Sequence, residues 1–139
     1  MKIAICGSMS FWKEMLEAAA ALERAGHMVV LSESVHAMRD GQYVVASSIA
    51  EDAERKRAHN LIYKHYEKIR ASDVALVLNY TKSGVEHYIG GNTFLEIGFA
   101  HVLGKKIFLL NPIPKIPLIE SEVLGMQPIV LHGDLTKLV

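Results

Sequence analysis

The sequence predicts an α/β fold in which five parallel strands form a sheet between two layers of helices. Segments with the apolar character of strands alternate five times with segments of helical periodicity along the chain. One strand, residues 73–79, contains a continuous apolar run, which is typical of a parallel sheet covered by helices on both faces. Because crossovers between such strands are short and right-handed, an open three-layer sandwich is the simplest arrangement.

Glycine and polar residues mark where the predicted elements end. Gly7 and Ser8 stop the first strand, Gly26 stops the first helix, and Gly104 stops the last long helix. The predicted strands are residues 2–6, 27–31, 73–79, 106–110 and 128–131, and the predicted helices are residues 11–25, 49–71, 92–103 and 118–124. Residues 32–48 lack periodicity, so we expect a mobile connection near the strand ends, which is a candidate lid.

The predicted arrangement also locates a ligand site. The strand order 2-1-3-4-5, as in flavodoxin-like and Rossmann-like three-layer sandwiches, reverses direction between strands one and three. Ligands of such sheets bind in the crevice at that point, beyond the carboxyl ends of the strands. The loops there are residues 7–10 and 79–96, so functional residues are expected in those two segments.

Composition limits the classes of partner. Half of the 139 residues are hydrophobic, which is enough to form one buried core but too few for two. We therefore expect a single domain over residues 1–139. The 15 basic and 15 acidic side chains cancel and are interspersed, which disfavours polymeric nucleic acid and membrane surfaces as partners. One cysteine, no signal sequence and no long apolar run together predict a cytoplasmic protein.

The sequence predicts no metal and no cofactor. Its seven histidines show no ligand spacing joined to cysteine or carboxylate clusters. No Walker motif is present and no GxGxxG follows the first strand, which disfavours a P-loop and a dinucleotide site. Cys6 is expected to close a buried strand, although a catalytic pair of Cys6 with a histidine stays open.

The segment that opens the last long helix is the main candidate for a site. Gly90 and Gly91 allow a tight turn, Asn92 or Thr93 can cap the helix, and the free N–H groups there favour an anion such as phosphate. Glu96 follows among apolar neighbours with no local cation. Such a carboxylate is either a nucleophile that attacks the anomeric carbon of a sugar or a solvated glutamate near the helix dipole.

Five further residues are candidates for ligand contact or proton transfer. Gly7 and Ser8, with Ser10 nearby, either hold a phosphate or ribose hydroxyl at the first helix or form an ordinary turn. His65 lies on the apolar stripe of its helix, where it either packs or orients a substrate hydroxyl and carries a proton. Asn79 ends the third strand at the crevice, where it either recognises a sugar or base edge or simply terminates the strand.

These motifs resemble the nucleoside 2-deoxyribosyltransferase superfamily, which also includes 2'-deoxynucleoside 5'-monophosphate N-glycosidases. The resemblance spans most of the chain. It rests on Ile5-Cys6-Gly7-Ser8, on Ala71-Ser72-Asp73-Val74-Ala75-Leu76-Val77-Leu78, and on Glu96-Ile97-Gly98-Phe99-Ala100 followed by Leu103-Gly104-Lys105-Lys106. It implies that Glu96 is the nucleophile and that Gly7 and Ser8 help to hold a 5'-phosphate.

The chain departs from that family at several positions. His65 stands where members usually carry an aspartate, eight residues before the aspartate of strand three, and Ala4 stands where a tyrosine is often found. Residues 88–93 are richer in glycine and resemble the phosphate-binding Gly-Gly loop of phosphoribohydrolases of the cytokinin-activating type. The resemblance also implies a homodimer or larger assembly, for which helix 49–71 or the apolar residues Ile116, Leu118 and Leu124 could supply the contact.

The sequence favours an N-glycosidase or glycosyltransferase that cleaves the N-glycosidic bond of a nucleoside or nucleoside 5'-monophosphate. In this hypothesis Glu96 attacks C1', a proton donor assists the departing base, and water or a second base resolves the intermediate. Two alternatives stay open. One is a non-catalytic nucleotide sensor that uses the same crevice, and the other is a flavodoxin-like protein with a flavin.

Overall fold

The sheet is built from five short strands that all run in the same direction. A computed structural model describes residues 1–138. Its strands are β1 (Lys2–Gly7), β2 (Met28–Val30), β3 (Val74–Leu78), β4 (Lys106–Leu109) and β5 (Ile129–Val130). They pair in parallel in the order β2-β1-β3-β4-β5, which confirms the predicted α/β class and strand order.

Helices cover both faces of this sheet. They are α1 (Trp12–Arg24), α2 (Glu33–Arg39), α3 (Ile49–Ala58), α4 (Leu61–Arg70), α5 (Gly91–Val102) and α6 (Glu120–Gly125), with 3-10 turns at Met9–Phe11 and Leu135–Lys137. None of the helices within residues 1–138 is long and apolar enough to cross a membrane.

The two central strands are apolar on both faces. Residues 3–6 of β1 and all five residues of β3 are buried. The register pairs Cys6 with Val77 and Gly7 with Leu78. Both strands therefore end at the same edge of the sheet, and the loops that follow them open side by side at the switch point.

Alternate residues of β1 enter two separate cores. Ile3 and Ile5 belong to the core that α1 covers, whereas Ala4 and Cys6 belong to the core that α4 and α5 cover. This division follows from the two-residue period of a strand. Cys6 therefore faces the same helical layer that carries His65 on α4 and Glu96 on α5.

The prediction of a single helix over residues 49–71 is wrong. The segment forms two helices, α3 and α4, which are separated at His59 and Asn60. Asn60 has a φ of 52°, a left-handed conformation that asparagine tolerates better than most residues. No residue of α3 is buried, whereas α4 buries His65 and Ile69 at a four-residue spacing. The predicted apolar stripe is therefore a property of α4.

The prediction that residues 32–48 form an irregular connection is wrong for the first half of this segment, which forms α2. The Ser32 side chain caps this helix by accepting a hydrogen bond from the Val35 N–H at 3.3 Å. Val35 is buried in the core beside α1, which holds the short helix on the protein. Residues 40–48 form neither helix nor strand, and Tyr43 from this stretch reaches the candidate site.

The start of α5 also differs from the prediction. Gly90 is the N-cap, whereas Asn92 and Thr93 lie inside the helix and cap nothing. Within the described residues no side chain caps this end of α5. Its first N–H groups are therefore left available to a ligand.

Candidate functional site

A cleft of about 490 Å³ opens beyond the carboxyl ends of β1 and β3, at the predicted switch point. Its walls come from the turn after β1, from α2, α3 and α4, from the loop after β3 and from the start of α5. Seven of the predicted site residues line it, namely Gly7, Ser8, His65, Gly90, Gly91, Asn92 and Glu96. The fold thus brings the two predicted loops together.

The other two predicted site residues lie outside the cleft. The fully buried Asn79 donates from Nδ2 to the carbonyls of Asn111 and Pro112 at 3.0 Å. Its Oδ1 accepts a hydrogen bond from the Asn111 N–H at 2.9 Å. The Asn79 side chain therefore joins the ends of β3 and β4. Ser10 is exposed, and its N–H donates to Ser8 Oγ at 3.3 Å.

Glu96 lies on the buried face of α5 and is only 6% exposed. Asn92, one helical turn earlier, donates from Nδ2 to Oε1 of Glu96 at 3.1 Å. Within residues 1–138 the buried Oε2 has no hydrogen-bond partner. The alternative of a solvated helical glutamate is therefore wrong, and this carboxyl has one anchored oxygen and one free oxygen.

His65 of α4 faces the free oxygen of Glu96. Its Nε2 lies 3.5 Å from Oε2 of Glu96, and both side chains are 8% exposed. Burial raises the pKa of Glu96 to about 8. Burial, assisted by the charge of Lys68, lowers the pKa of His65 to about 4. Between those two values both groups are neutral, so the contact is not an ion pair at neutral pH.

Cys6 completes this buried group from the sheet side. Its Sγ lies 3.6 Å from Nε2 of His65, and the side chain is 2% exposed. Burial, and then the neighbouring Glu96, raise the pKa of Cys6 well above its usual value, so the group is a thiol at neutral pH. The sequence analysis named Glu96 and His65 as candidates and left a pair of Cys6 with a histidine open, but it did not join the three residues, because they come from β1, α5 and α4 and share no sequence spacing.

A second part of the cleft suits an anion. Lys82 donates from Nζ to Ser8 Oγ at 3.2 Å and lies 4.9 Å from the ring centroid of Tyr88. Gly90 packs closely on Tyr88, since a Cβ added at Gly90 would lie 2.9 Å from the tyrosine hydroxyl oxygen. A lysine, a hydroxyl and an uncapped helix N-terminus are donors that a phosphate prefers.

Three other cations of the cleft, Arg55, Lys56 and Lys64, pair with nearby acids. A fourth, Lys68 of α4, forms no ion pair with a described residue and donates from Nζ to the Leu31 carbonyl at 2.9 Å. Arg55 contacts Asp52 at 2.6 Å, and Lys64 lies 3.5 Å from Glu33. Lys82 forms no ion pair with any described residue. The sequence analysis missed Lys82, although its position in the loop after β3 is a signal that could have identified it.

These features define a doubly wound α/β protein with a ligand cleft at its topological switch point. Solved structures of this class are similar to the chain over most of its length. A CMP N-glycosidase from Clostridium botulinum, BcmB, aligns with a TM-score of 0.54 and 15% identity, covering 99% of this chain and 95% of that one. A conserved protein from Enterococcus faecalis V583 aligns with a TM-score of 0.55 and 14% identity, covering 94% and 89%.

A 2-deoxyribosyltransferase from Bacillus psychrosaccharolyticus aligns with a TM-score of 0.48 and 19% identity, covering 88% of this chain and 81% of that one. No family model and no curated protein matches the sequence. At these identities the likeness to the first two structures establishes a shared fold, and it confirms the fold that the sequence resemblance implied. The activity has to be argued from the site.

Proposed function

We propose that the protein is an N-glycosidase or glycosyltransferase acting on a nucleoside 5'-monophosphate, and a divergent member of the nucleoside 2-deoxyribosyltransferase superfamily. The observation that carries this proposal is the placement of the buried Glu96 carboxyl in the same cleft as Lys82, Ser8 and the N-terminus of α5. A nucleotide offers an anomeric carbon for the carboxylate and a phosphate for the cationic end. The shared fold of a CMP N-glycosidase supports the proposal.

The residues can carry the reaction in two balanced steps. First, the carboxyl proton of Glu96 passes to Nε2 of His65, 3.5 Å away, and the carboxylate bonds to C1' while the bond from C1' to the base breaks. The imidazolium then gives its proton to the departing base. In the second step water or another base bonds to C1', the ester to Glu96 breaks, and the one proton that the nucleophile releases returns through His65 to the Glu96 carboxylate, which restores the starting state.

Burial makes this carboxylate suited to a cationic transition state. An ionised Glu96 is poorly solvated in its pocket, so positive charge that develops at C1' stabilises it strongly. Asn92 holds Oε1, and Oε2 is buried beside His65, so the carboxyl has to turn toward the cleft for an oxygen to reach C1'.

Release of free base tests the proposal. Metal-free wild type and Glu96→Ala are incubated with ribo- and deoxyribonucleosides and their 5'-monophosphates, with and without an acceptor base, and the base is followed by chromatography. We expect wild type to release base from a monophosphate and Glu96→Ala to lose about 10³-fold or more in rate with its fold intact. Glu23→Ala, at an exposed position of α1, is the control and should retain full activity. Comparable rates for wild type and Glu96→Ala would remove Glu96 as the nucleophile.

A non-catalytic nucleotide sensor is the second candidate. The observation that favours it is His65, which replaces the aspartate of the related family and stays neutral because its pKa is about 4. A sensor would bind a monophosphate with saturation and release no base. Calorimetric binding without base release from any substrate would therefore favour the sensor over the enzyme.

The cytoplasmic location of the protein stays a prediction.

We also propose that the protein is a homodimer. An apolar groove runs along the outer side of α5 and α6 and is lined by Phe94, Leu95, Gly98, Phe99, Val102, Glu122 and Met126. Leu118 and Leu124 nearby are also exposed. Exposed apolar patches of this kind are typical of protein contacts. Light scattering that gives twice the chain mass would support the dimer, and a monomer would contradict it.

A further inference from the structure

Three side chains with metal-ligating atoms meet at one point beneath the cleft. Cys6 comes from β1, His65 from α4 and Glu96 from α5, and their ligand atoms all lie within 4.8 Å of one another. The Cys6 Sγ to His65 Nε2 distance is 3.6 Å, and the His65 Nε2 to Glu96 Oε2 distance is 3.5 Å. All three residues are buried. Their convergence is therefore fixed by the sheet and two packed helices.

These separations match the edges of a tetrahedral zinc site. Zinc bonds of about 2.3 Å to sulfur and about 2.0–2.2 Å to nitrogen and oxygen place neighbouring ligand atoms roughly 3.3–3.6 Å apart. The two measured separations, 3.6 and 3.5 Å, fall in or at the edge of this range. Two of the three edges therefore have the length that a bound ion requires, and the third, between Cys6 Sγ and the Glu96 carboxylate, is at most 4.8 Å.

The charge and hydrogen bonding of the cluster also favour a divalent ion. A thiolate and a carboxylate together cancel the charge of a divalent cation, so the loaded site carries no net charge in its buried surroundings. Within the described residues Oε2 of Glu96 has no hydrogen-bond partner. Buried polar atoms are rarely left unpaired, and a bound ion would supply the partner that Oε2 lacks.

The ligand set points to the zinc class of metals. Thiolate with imidazole suits zinc and similar borderline ions, whereas magnesium and calcium prefer oxygen ligands alone. His65 and Glu96 line the cleft and Cys6 lies behind them, so a fourth position would face the cleft. Three protein ligands with one open position are typical of a zinc site that receives water or substrate.

We propose that Cys6, His65 and Glu96 bind one zinc-class divalent ion whose fourth coordination position opens into the cleft. Binding at neutral pH displaces two protons to solvent, one from the Cys6 thiol and one from the Glu96 carboxyl, because only the thiolate and the carboxylate ligate. The ion would engage the same carboxylate that the proposed glycosidase uses as its nucleophile. A bound ion and a glycosyl ester on Glu96 are then mutually exclusive, so the ion would block the reaction. The inference does not rest on that proposed function, since it concerns binding of the ion alone.

Titration with cobalt(II) tests the site without any substrate. Metal-free full-length protein should bind one equivalent and develop a thiolate-to-cobalt charge-transfer band together with the visible bands of tetrahedral cobalt. Zinc should displace the cobalt. Cys6→Ser should abolish the charge-transfer band, whereas Glu96→Gln should keep it and weaken zinc binding. Since loss of a second-shell partner alone lowers metal affinity about 10- to 100-fold, loss of either ligand should lower it at least that much.

A matched histidine variant separates this site from surface binding. His101→Ala removes an exposed histidine on the same helix as Glu96 and should leave both spectrum and affinity unchanged. Circular dichroism confirms the fold of each variant, and Glu96→Gln keeps the test valid if Cys6→Ser does not fold. The inference is overturned if wild type shows no thiolate band or if Glu96→Gln binds zinc as wild type does. Base release measured with a chelator reports on the glycosidase separately, so either idea can fail alone.

Discussion

Lys82 is the residue on which the proposed preference for a nucleotide over a nucleoside chiefly depends. It contacts the Ser8 hydroxyl and, among the described residues, forms no ion pair. Arg55 and Lys56, in contrast, share the carboxylate of Asp52 at 2.6 and 3.0 Å. The charge of Lys82 is therefore fully available to a phosphate bound at the start of α5.

Lys82→Met should separate monophosphate substrates from nucleosides. Loss of a charge-assisted hydrogen bond of about 1.5–3 kcal/mol should raise the KM for a monophosphate roughly 10- to 100-fold. The rate with the matching nucleoside should not change, because that substrate has no phosphate. Lys115→Met, at an exposed position outside the cleft, is the control. An equal loss with both substrates would contradict a phosphate contact.

Individual site residues were predictable where local sequence decides their position. Ser8 and Glu96 follow directly from a strand end and a helix start, which the sheet order brings to one edge. Asn79 also ends a strand, yet its amide bonds to the main chain of the neighbouring loop. The contact of Cys6 with His65 joins residues 59 positions apart and depends on how α4 packs on the sheet. No spacing rule can supply such a contact.

At the scale of elements, the pairing of β1 with β3 depends on a glycine. Gly7 ends β1 opposite Leu78. A Cβ at this position would lie 2.7 Å from Cε of Met15 and 3.0 Å from the carbonyl oxygen of Leu78. The methionine end can move, but the carbonyl belongs to the paired strand, so the two strands would have to separate slightly.

Gly7→Ala should therefore destabilise the protein. We expect the free energy of unfolding to fall by about 1–3 kcal/mol, the usual cost of an overpacked core position. Gly98→Ala is the matched comparison, since a Cβ there meets nothing within 4 Å and α5 should gain about 0.5–1 kcal/mol. Urea denaturation measures both variants. Equal stability of Gly7→Ala and wild type would show that the strands tolerate the added methyl group.

The elements that the sequence predicts well are those with a strong apolar pattern. β1 and β3 are predicted as strands because their sequences are continuously apolar. In the structure both strands are buried. The break between α3 and α4 is harder to predict, since the left-handed conformation of Asn60 is one option among several for an asparagine. α3 buries no residue, so its sequence carries no periodic signal that could reveal where it ends.

At the scale of the whole molecule, the fold keeps two ionisable side chains uncharged beneath the cleft. His65 and Glu96 come from different helices of one layer and are both buried against β1. Each is disfavoured in its charged form, His65 with a pKa of about 4 and Glu96 with a pKa of about 8. Because both pKa values differ from those in the unfolded chain, the free energy of unfolding should depend on pH.

The pH dependence of stability has a definite sign between about pH 6.5 and pH 8. In this window His65 is neutral in the folded protein and binds at most half a proton in the unfolded chain, because its pKa is about 4 when folded and 6.5 otherwise. Glu96 is ionised in the unfolded chain but keeps its proton in the folded protein until about pH 8. The unfolded state thus binds fewer protons, and the free energy of unfolding should fall as pH rises.

Glu96→Gln should remove this slope, because glutamine does not titrate. Urea denaturation with a chelator present measures the free energy of unfolding at each pH. As pH rises, we expect this free energy to fall for wild type relative to Glu96→Gln. The slope of the difference should approach the value for release of one proton on unfolding. Below about pH 6.5 the ionisation of His65 in the unfolded chain adds the opposite slope to both proteins equally, so it cancels in the comparison. Glu23→Gln, at an exposed position of α1, should follow wild type throughout. A constant difference between wild type and Glu96→Gln from pH 6.5 to 8 would mean that Glu96 is already ionised in the folded protein, and the proton transfer to His65 would then have no carboxyl proton to move.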